Sequence, residues 1–158
     1  MASEATPMPA APMQIAVSAQ YIKDFSFESP HAPQIFAPTQ TPPEITIGVN
    51  LRTRPLAEHT FEVLLMLRLE AKIEGKSAFI AELTYGGVFI LPPGSEEQTK
   101  MLLLIECPRL LFPYARAIVS EAVREGGFPQ IMITPIDFAA LYHANKNNVG
   151  TMTAAGAA

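Results

Sequence analysis

Charge is what this 158-residue chain has little of: only 16% of its residues are Asp, Glu, Lys or Arg, with a net charge of −4. A partner built on a phosphate backbone needs clustered Lys and Arg, and the sequence offers no such cluster, so nucleic acid is excluded as a partner. The single cysteine, Cys107, cannot build an intramolecular disulfide framework and suits a reducing compartment. No run approaches the roughly 18 apolar residues of a membrane span. No Lys or Arg precedes Lys23, and prolines break the apolar runs there, so the N-terminus is not a signal peptide. The expectation left standing is a soluble cytoplasmic protein without direct membrane insertion.

Catalytic signatures are equally scarce. There is no Gly-rich phosphate loop, no nucleophile elbow and no pair of His or Cys at metal spacing. His31, His59 and His143 fall in a loop, near a strand start and on a helix, each without a second ligand beside it, so no metal site is expected. Cys107 has only Arg109 as a local cation and reads as a packed thiol rather than a nucleophile.

What the chain does have is apolar residues, 49% of the total, enough for one ordinary globular domain. Residues 1–14 are rich in Ala, Pro and Met without periodicity, and residues 148–158 are small and weakly apolar. Neither offers enough side chain to offset the entropy of ordering, so both are expected to be disordered around a single domain over 15–147. The first half of that domain alternates with period two. EITIGVNLR places Ile45, Ile47, Val49 and Leu51 on one face; HTFEVLLMLRLEAKIEG does the same with Phe61, Val63, Leu65, Leu67, Leu69, Ala71 and Ile73. A connection of about four residues at Glu74–Ser77 leads into AFIAELTYGGVFI, where Phe79, Ala81, Leu83 and Tyr85 oppose Ile80, Glu82 and Thr84. The second half is helical. Ser95 and Gln98 form a capping-box pattern, Pro108 and Pro113 interrupt the run that follows, and Gly126-Gly127 closes a helix. Asp137 opens a last amphipathic helix. Strands followed by helices predict an α+β domain, a four-stranded antiparallel sheet with helices packed on one face.

The first strand, YIKDFSFESP, raises the functional question. Strict alternation sends Tyr21, Lys23, Phe25 and Phe27 one way and Ile22, Asp24, Ser26 and Glu28 the other. Two carboxylates four residues apart on an open face fit a solvated face or a docking surface better than an acid–base pair, since nothing concave or desolvating surrounds them. The outer face also mixes Ile22, Leu64, Met66 and Ile80 with its acids, and MLLLIECPRLLF is apolar nearly all round. A helix apolar all round is either deep in the core or buried by another subunit. With a sheet open on one side, the subunit interface is at least as strong a reading, which points to oligomerisation.

The stretches QYIKDFSFESPHAPQIF, FIAELTYGGVF, CPRLLFPYAR and GGFPQIMITPIDFAALY resemble the SecB family of bacterial protein-export chaperones, in order and spacing, across roughly residues 20–142. The resemblance implies a homotetramer, a dimer of dimers, that holds unfolded precursor proteins in the cytoplasm and delivers them to the SecA ATPase without a cofactor or a covalent reaction. It places SecA docking at Asp24, Glu28, Ile80 and Glu82, and dimer–dimer association at Ala81, Leu83 and Tyr85. Client binding falls in apolar grooves near Phe27 and Phe36. The non-acidic tail departs from family members whose tail makes a secondary SecA contact. The alternatives are a small oligomeric α+β enzyme or ligand-binding protein, with a site built from several strands, and a structural oligomerisation domain.

Overall fold

The structure, a computed structural model, describes residues 14–145 and the backbone of residues 151–157. Residues 1–13, 146–150 and 158, which hold most of the expected N-terminal extension and part of the tail, lie outside the described residues.

Strands β1 (Ala16–Glu28), β2 (Glu44–Ala57), β3 (Thr60–Ile73) and β4 (Lys76–Ile90) form the expected antiparallel sheet. Its order is β1-β4-β3-β2, because a proline-rich crossover, residues 29–43, carries the chain from one edge to the other. The β3–β4 turn is tighter than the expected four residues. Ile73 pairs with Lys76, and Glu74 and Gly75 have φ of 51° and 78°, the doubly left-handed turn that matches strand twist. A fifth strand, β5 (Thr151–Ala157), pairs antiparallel with β2 where a disordered tail is expected from 148. The physical reason is the open edge: without a fifth strand the backbone groups of β2 would be unpaired on that side, and pairing with residues 151–157 satisfies them.

The core lies on one face of the sheet. Leu65, Leu67 and Leu69 of β3, and Phe79, Ala81, Leu83 and Phe89 of β4, are all at most 2% exposed. They are covered by α2 (Cys107–Glu125), which continues without a break from α1 (Glu96–Met101) and a π-helical turn (Leu102–Glu106). Ser95 caps this helix as expected: its Oγ accepts from the Gln98 N–H at 3.2 Å, while Gln98 Oε1 accepts from the Ser95 N–H at 3.0 Å.

Pro108 and Pro113 do not interrupt the helix, contrary to the sequence expectation. The π turn makes room for Pro108: the Cys107 N–H reaches back five residues to the Leu102 carbonyl, so the pattern is already shifted where the proline lacks a donor. Pro113 sits inside α2 on its exposed side. Burial of Leu103, Leu104, Ile105, Cys107, Leu111, Ala115, Val119 and Val123 against the sheet offsets the lost hydrogen bonds. Gly127, with φ of 95°, ends α2: its N–H donates to the Arg124 carbonyl at 3.1 Å and the Phe128 N–H to Val123 at 3.2 Å, a Schellman motif. The last helix, α3 (Phe138–Ala144), is capped by Asp137, whose carboxylate accepts from the Ala140 N–H at 2.9 Å.

β1 departs from strict alternation. Ile22 pairs with Tyr85 and Asp24 with Thr84, so Lys23 is a bulged extra residue. Tyr21 and Lys23 therefore point to the outer face with Asp24, while Phe25, opposite Leu83, and Phe27, opposite Ala81, point to the helices. Ile22, opposite Tyr85, belongs to the helix side and not to the outer face. One inserted residue reverses the phase, which period-two counting cannot detect.

Candidate functional site

The outer face of the sheet is built from rows of directly paired residues. One row is Glu28, Ile80, Glu70 and Thr46; the next is Ser26, Glu82, Arg68 and Gly48; the third is Asp24, Thr84, Met66 and Asn50. All four residues expected to dock a partner, Asp24, Glu28, Ile80 and Glu82, thus fall on one face within three successive rows. Asp24, Met66, Arg68, Glu82 and Thr84 line a shallow depression of about 340 Å³, with Gly48 leaving one side low. Four carboxylates stand here against one guanidinium. Arg68 bonds Glu82 and Glu70, each at 3.0 Å, and these two partners raise its pKa.

Further along the same face the charge reverses. Lys23, Arg52 and Arg54 surround Glu62, which sequence counting places in solvent but which is 6% exposed. Glu62 accepts from the Tyr21 hydroxyl, from Lys23 Nζ at 3.1 and 3.2 Å, and pairs with Arg54 at 3.2 Å. The Tyr21 hydrogen bond, helped by Lys23 and Arg54 and opposed by burial, holds its carboxyl below the ordinary value of 4.5. Burial and the Glu62 carboxylate push the Tyr21 phenol up to about 12.

The helix-side face carries an apolar groove of about 480 Å³ between the crossover residues Thr39–Pro43, the strand residues Ile45, Ala71, Ile73 and Phe79, and the loop Phe128–Ile131. Two of its wall residues belong to a chain of four rings: Phe36 lies 5.0 Å from Phe128, Phe128 4.9 Å from Phe79, and Phe79 5.6 Å from Phe27. Phe36 is 47% exposed and does not line the groove; it packs on Phe128 and over Gly127. Phe27 does not line the groove; it backs Phe79 and fills the space above Gly126, where a Cβ would come within 2.3 Å of its ring. Sequence reasoning missed Phe79 and Phe128 as wall residues. The Gly-Gly-Phe that ends α2 was the available signal for Phe128, because that motif turns the following apolar residue back onto the helix.

Ala81, Leu83 and Tyr85 lie beneath α2, at 0%, 2% and 8% exposure. Tyr85 stacks on Tyr114 at 6.3 Å, and Tyr114 is itself 54% exposed with Leu110 and Met101 open on the same helical run. Cys107 is fully buried, and burial pushes its thiol up to about 12, so it is a packing residue. Among the described residues no three His, Cys, Asp or Glu side chains converge on a metal-sized site, and no helix is long and apolar enough to cross a membrane.

Comparison with known proteins gives one consistent result. Residues 8–149 match the family model described as preprotein translocase subunit SecB. The chain is 50% identical over 141 residues to protein-export protein SecB of Bradyrhizobium sp., covering 89% of this chain and 87% of that one. It is 52% identical over 126 residues to its counterpart in Azorhizobium caulinodans, covering 80% and 79%. Among solved structures, a SecB-like chaperone of Mycobacterium tuberculosis, in complex with a ChAD peptide from the HigA1 antitoxin, shares the fold. Its TM-score is 0.64 at 12% identity, over 77% of this chain and 90% of that one.

Proposed function

The chain belongs to the SecB family of protein-export chaperones, and from that premise we propose how its two sheet faces divide the work. The outer face docks SecA through Asp24, Glu28, Ile80 and Glu82. The groove on the helix side, with Phe36 behind Phe128 and Phe27 behind Phe79, holds unfolded precursors. The protein works as a cytoplasmic homotetramer, a dimer of dimers, and as a chaperone of this family it is not an enzyme.

The observation that carries this reading is the meeting of Asp24 and Glu82, from different strands, in one depression beside Ile80 and Glu28. Exposed carboxylates around an apolar contact select a basic, amphipathic partner and speed its approach. The groove has the opposite chemistry. Apolar burial contributes about 25 cal/mol per Å², and carries no sequence code, so a client is selected by having its apolar segments exposed. Binding only the unfolded form holds the client open by mass action without ATP.

The test is SecA affinity measured by titration calorimetry for Asp24→Lys and Glu28→Lys. Affinity falls in both, with a steep dependence on salt, because exposed charges are screened beyond about 10 Å at 0.1 M ionic strength. Unchanged affinity in both variants would sink the docking assignment.

A further inference from the structure

Asp24 is exposed, yet it makes no ion pair among the described residues, although two cations stand next to it on the same face. Arg68 lines the same depression and is taken by Glu70 and Glu82. Lys23 is its chain neighbour, and the β-bulge turns both side chains to the outer face, where strict alternation would have separated them. A lysine stem is long and mobile, and Lys23 is 43% exposed, so its ammonium could reach the adjacent carboxylate. It is instead drawn along the sheet to Glu62, which holds it with both carboxylate oxygens. Glu62 is in turn fixed by Tyr21 and Arg54 and is nearly buried, so its position is set by its surroundings rather than by Lys23.

We propose that Glu62 is a positioning residue for docking: it captures Lys23 and so keeps the Asp24 carboxylate free for a cationic group of the partner. Glu62 touches no docking residue itself and acts through Lys23 alone. The inference rests on the docking reading of Asp24 given above. Its logic is competitive: a lysine released from Glu62 neutralises Asp24 within the chain, and the partner's cation then has to displace it. The bulge is what makes the competition possible, because it sets a cation and a docking carboxylate side by side.

Two measurements on the full-length protein decide it. The first is SecA affinity for Glu62→Gln, which keeps the shape and an acceptor for Tyr21 but releases Lys23. Affinity falls about fivefold at low salt, the range of an exposed ion pair, and Glu62→Gln combined with Lys23→Met regains it. A purely structural role for Glu62 gives a loss that the second substitution leaves in place, and that result overturns the proposal. The second measurement needs no SecA. A double-mutant cycle of Lys23→Met and Asp24→Asn, followed by urea unfolding, is additive with Glu62 present and coupled in Glu62→Gln. Additivity in both backgrounds overturns the capture of Lys23. If the unsubstituted protein fails to bind SecA, the docking reading falls, and the cycle still decides what Glu62 does. Should Glu62→Gln be too unstable to assay, Glu62→Asp shortens the carboxylate's reach and serves the same cycle.

Discussion

At the scale of single residues, buried chemistry here is structural. Cys107 has no exposed surface and a thiol pushed up to about 12, so it stays almost wholly protonated at neutral pH. A thiol-reactive dye should label native protein hardly at all and label it fully in denaturant; fast labelling of the native form would contradict the packing. The sequence made this legible, since Arg109 is the one local cation that could stabilise a thiolate. Glu62 was not legible, because a period-two count assigns it a face but not a burial. Its folded pKa lies below 4.5, so the stability it contributes is fully present above the unfolded value and is lost as pH falls through the folded one. Tyr21 works in the opposite direction: its pKa is raised from 10.0 to about 12, so its contribution is intact below pH 10 and disappears as pH rises through 12. Urea unfolding of the unsubstituted protein and Glu62→Gln from pH 7 downward should give a stability gap that closes below about pH 4.5. A gap constant down to pH 2 would show that the carboxylate's charge is irrelevant.

At the scale of elements, the strands were readable wherever alternation runs unbroken, as in β3, and misread where one residue is inserted, as at Lys23 in β1. Phe25 and Phe27 both face the helix side, where Phe27 packs on Phe79 as expected but Phe25 stays 38% exposed. The helix was misjudged for a related reason: proline rules weigh a local hydrogen bond, whereas the fate of Pro108 and Pro113 was decided by the long apolar stripe around them and by the π turn before it. The groove depends on how that helix ends. Gly127 holds φ at 95°, a conformation that costs a residue with a Cβ about 1–2 kcal/mol, and its motif turns Phe128 toward Phe79. Phe128→Ala should therefore weaken the binding of a denatured precursor about tenfold, the share of one buried ring, while SecA affinity stays the same. The readout is suppression of precursor aggregation in the absence of ATP. Equal suppression by the variant and the unsubstituted protein would remove the groove from client binding.

At the scale of the whole molecule, assembly is the property furthest from the sequence. Ala81, Leu83 and Tyr85 are buried within the subunit, so the proposal that they bear on assembly requires an effect passed on through α2. Such an effect would run through Tyr85, which stacks on Tyr114, itself exposed like Leu110 on the same helix. An apolar run exposed on a helix that is otherwise core-facing is the kind of surface a second subunit covers. Light scattering of the unsubstituted protein should give about four times 17.1 kDa, close to 68 kDa. Ala81→Leu adds bulk beneath α2 where no space exists, and an overpacked core typically moves a backbone element at a cost of about 1–3 kcal/mol. A small displacement of α2 is felt across any interface built on Tyr114, whereas Asp24 and Glu82 lie on the opposite face of the sheet. The variant should then sediment as a dimer of about 34 kDa while keeping its folded far-ultraviolet spectrum. Tyr114→Ala, which leaves the core untouched, should give the same shift if the path runs through that ring. A tetramer in both variants would mean that the subunits meet elsewhere, and that the buried positions of β4 serve the core alone.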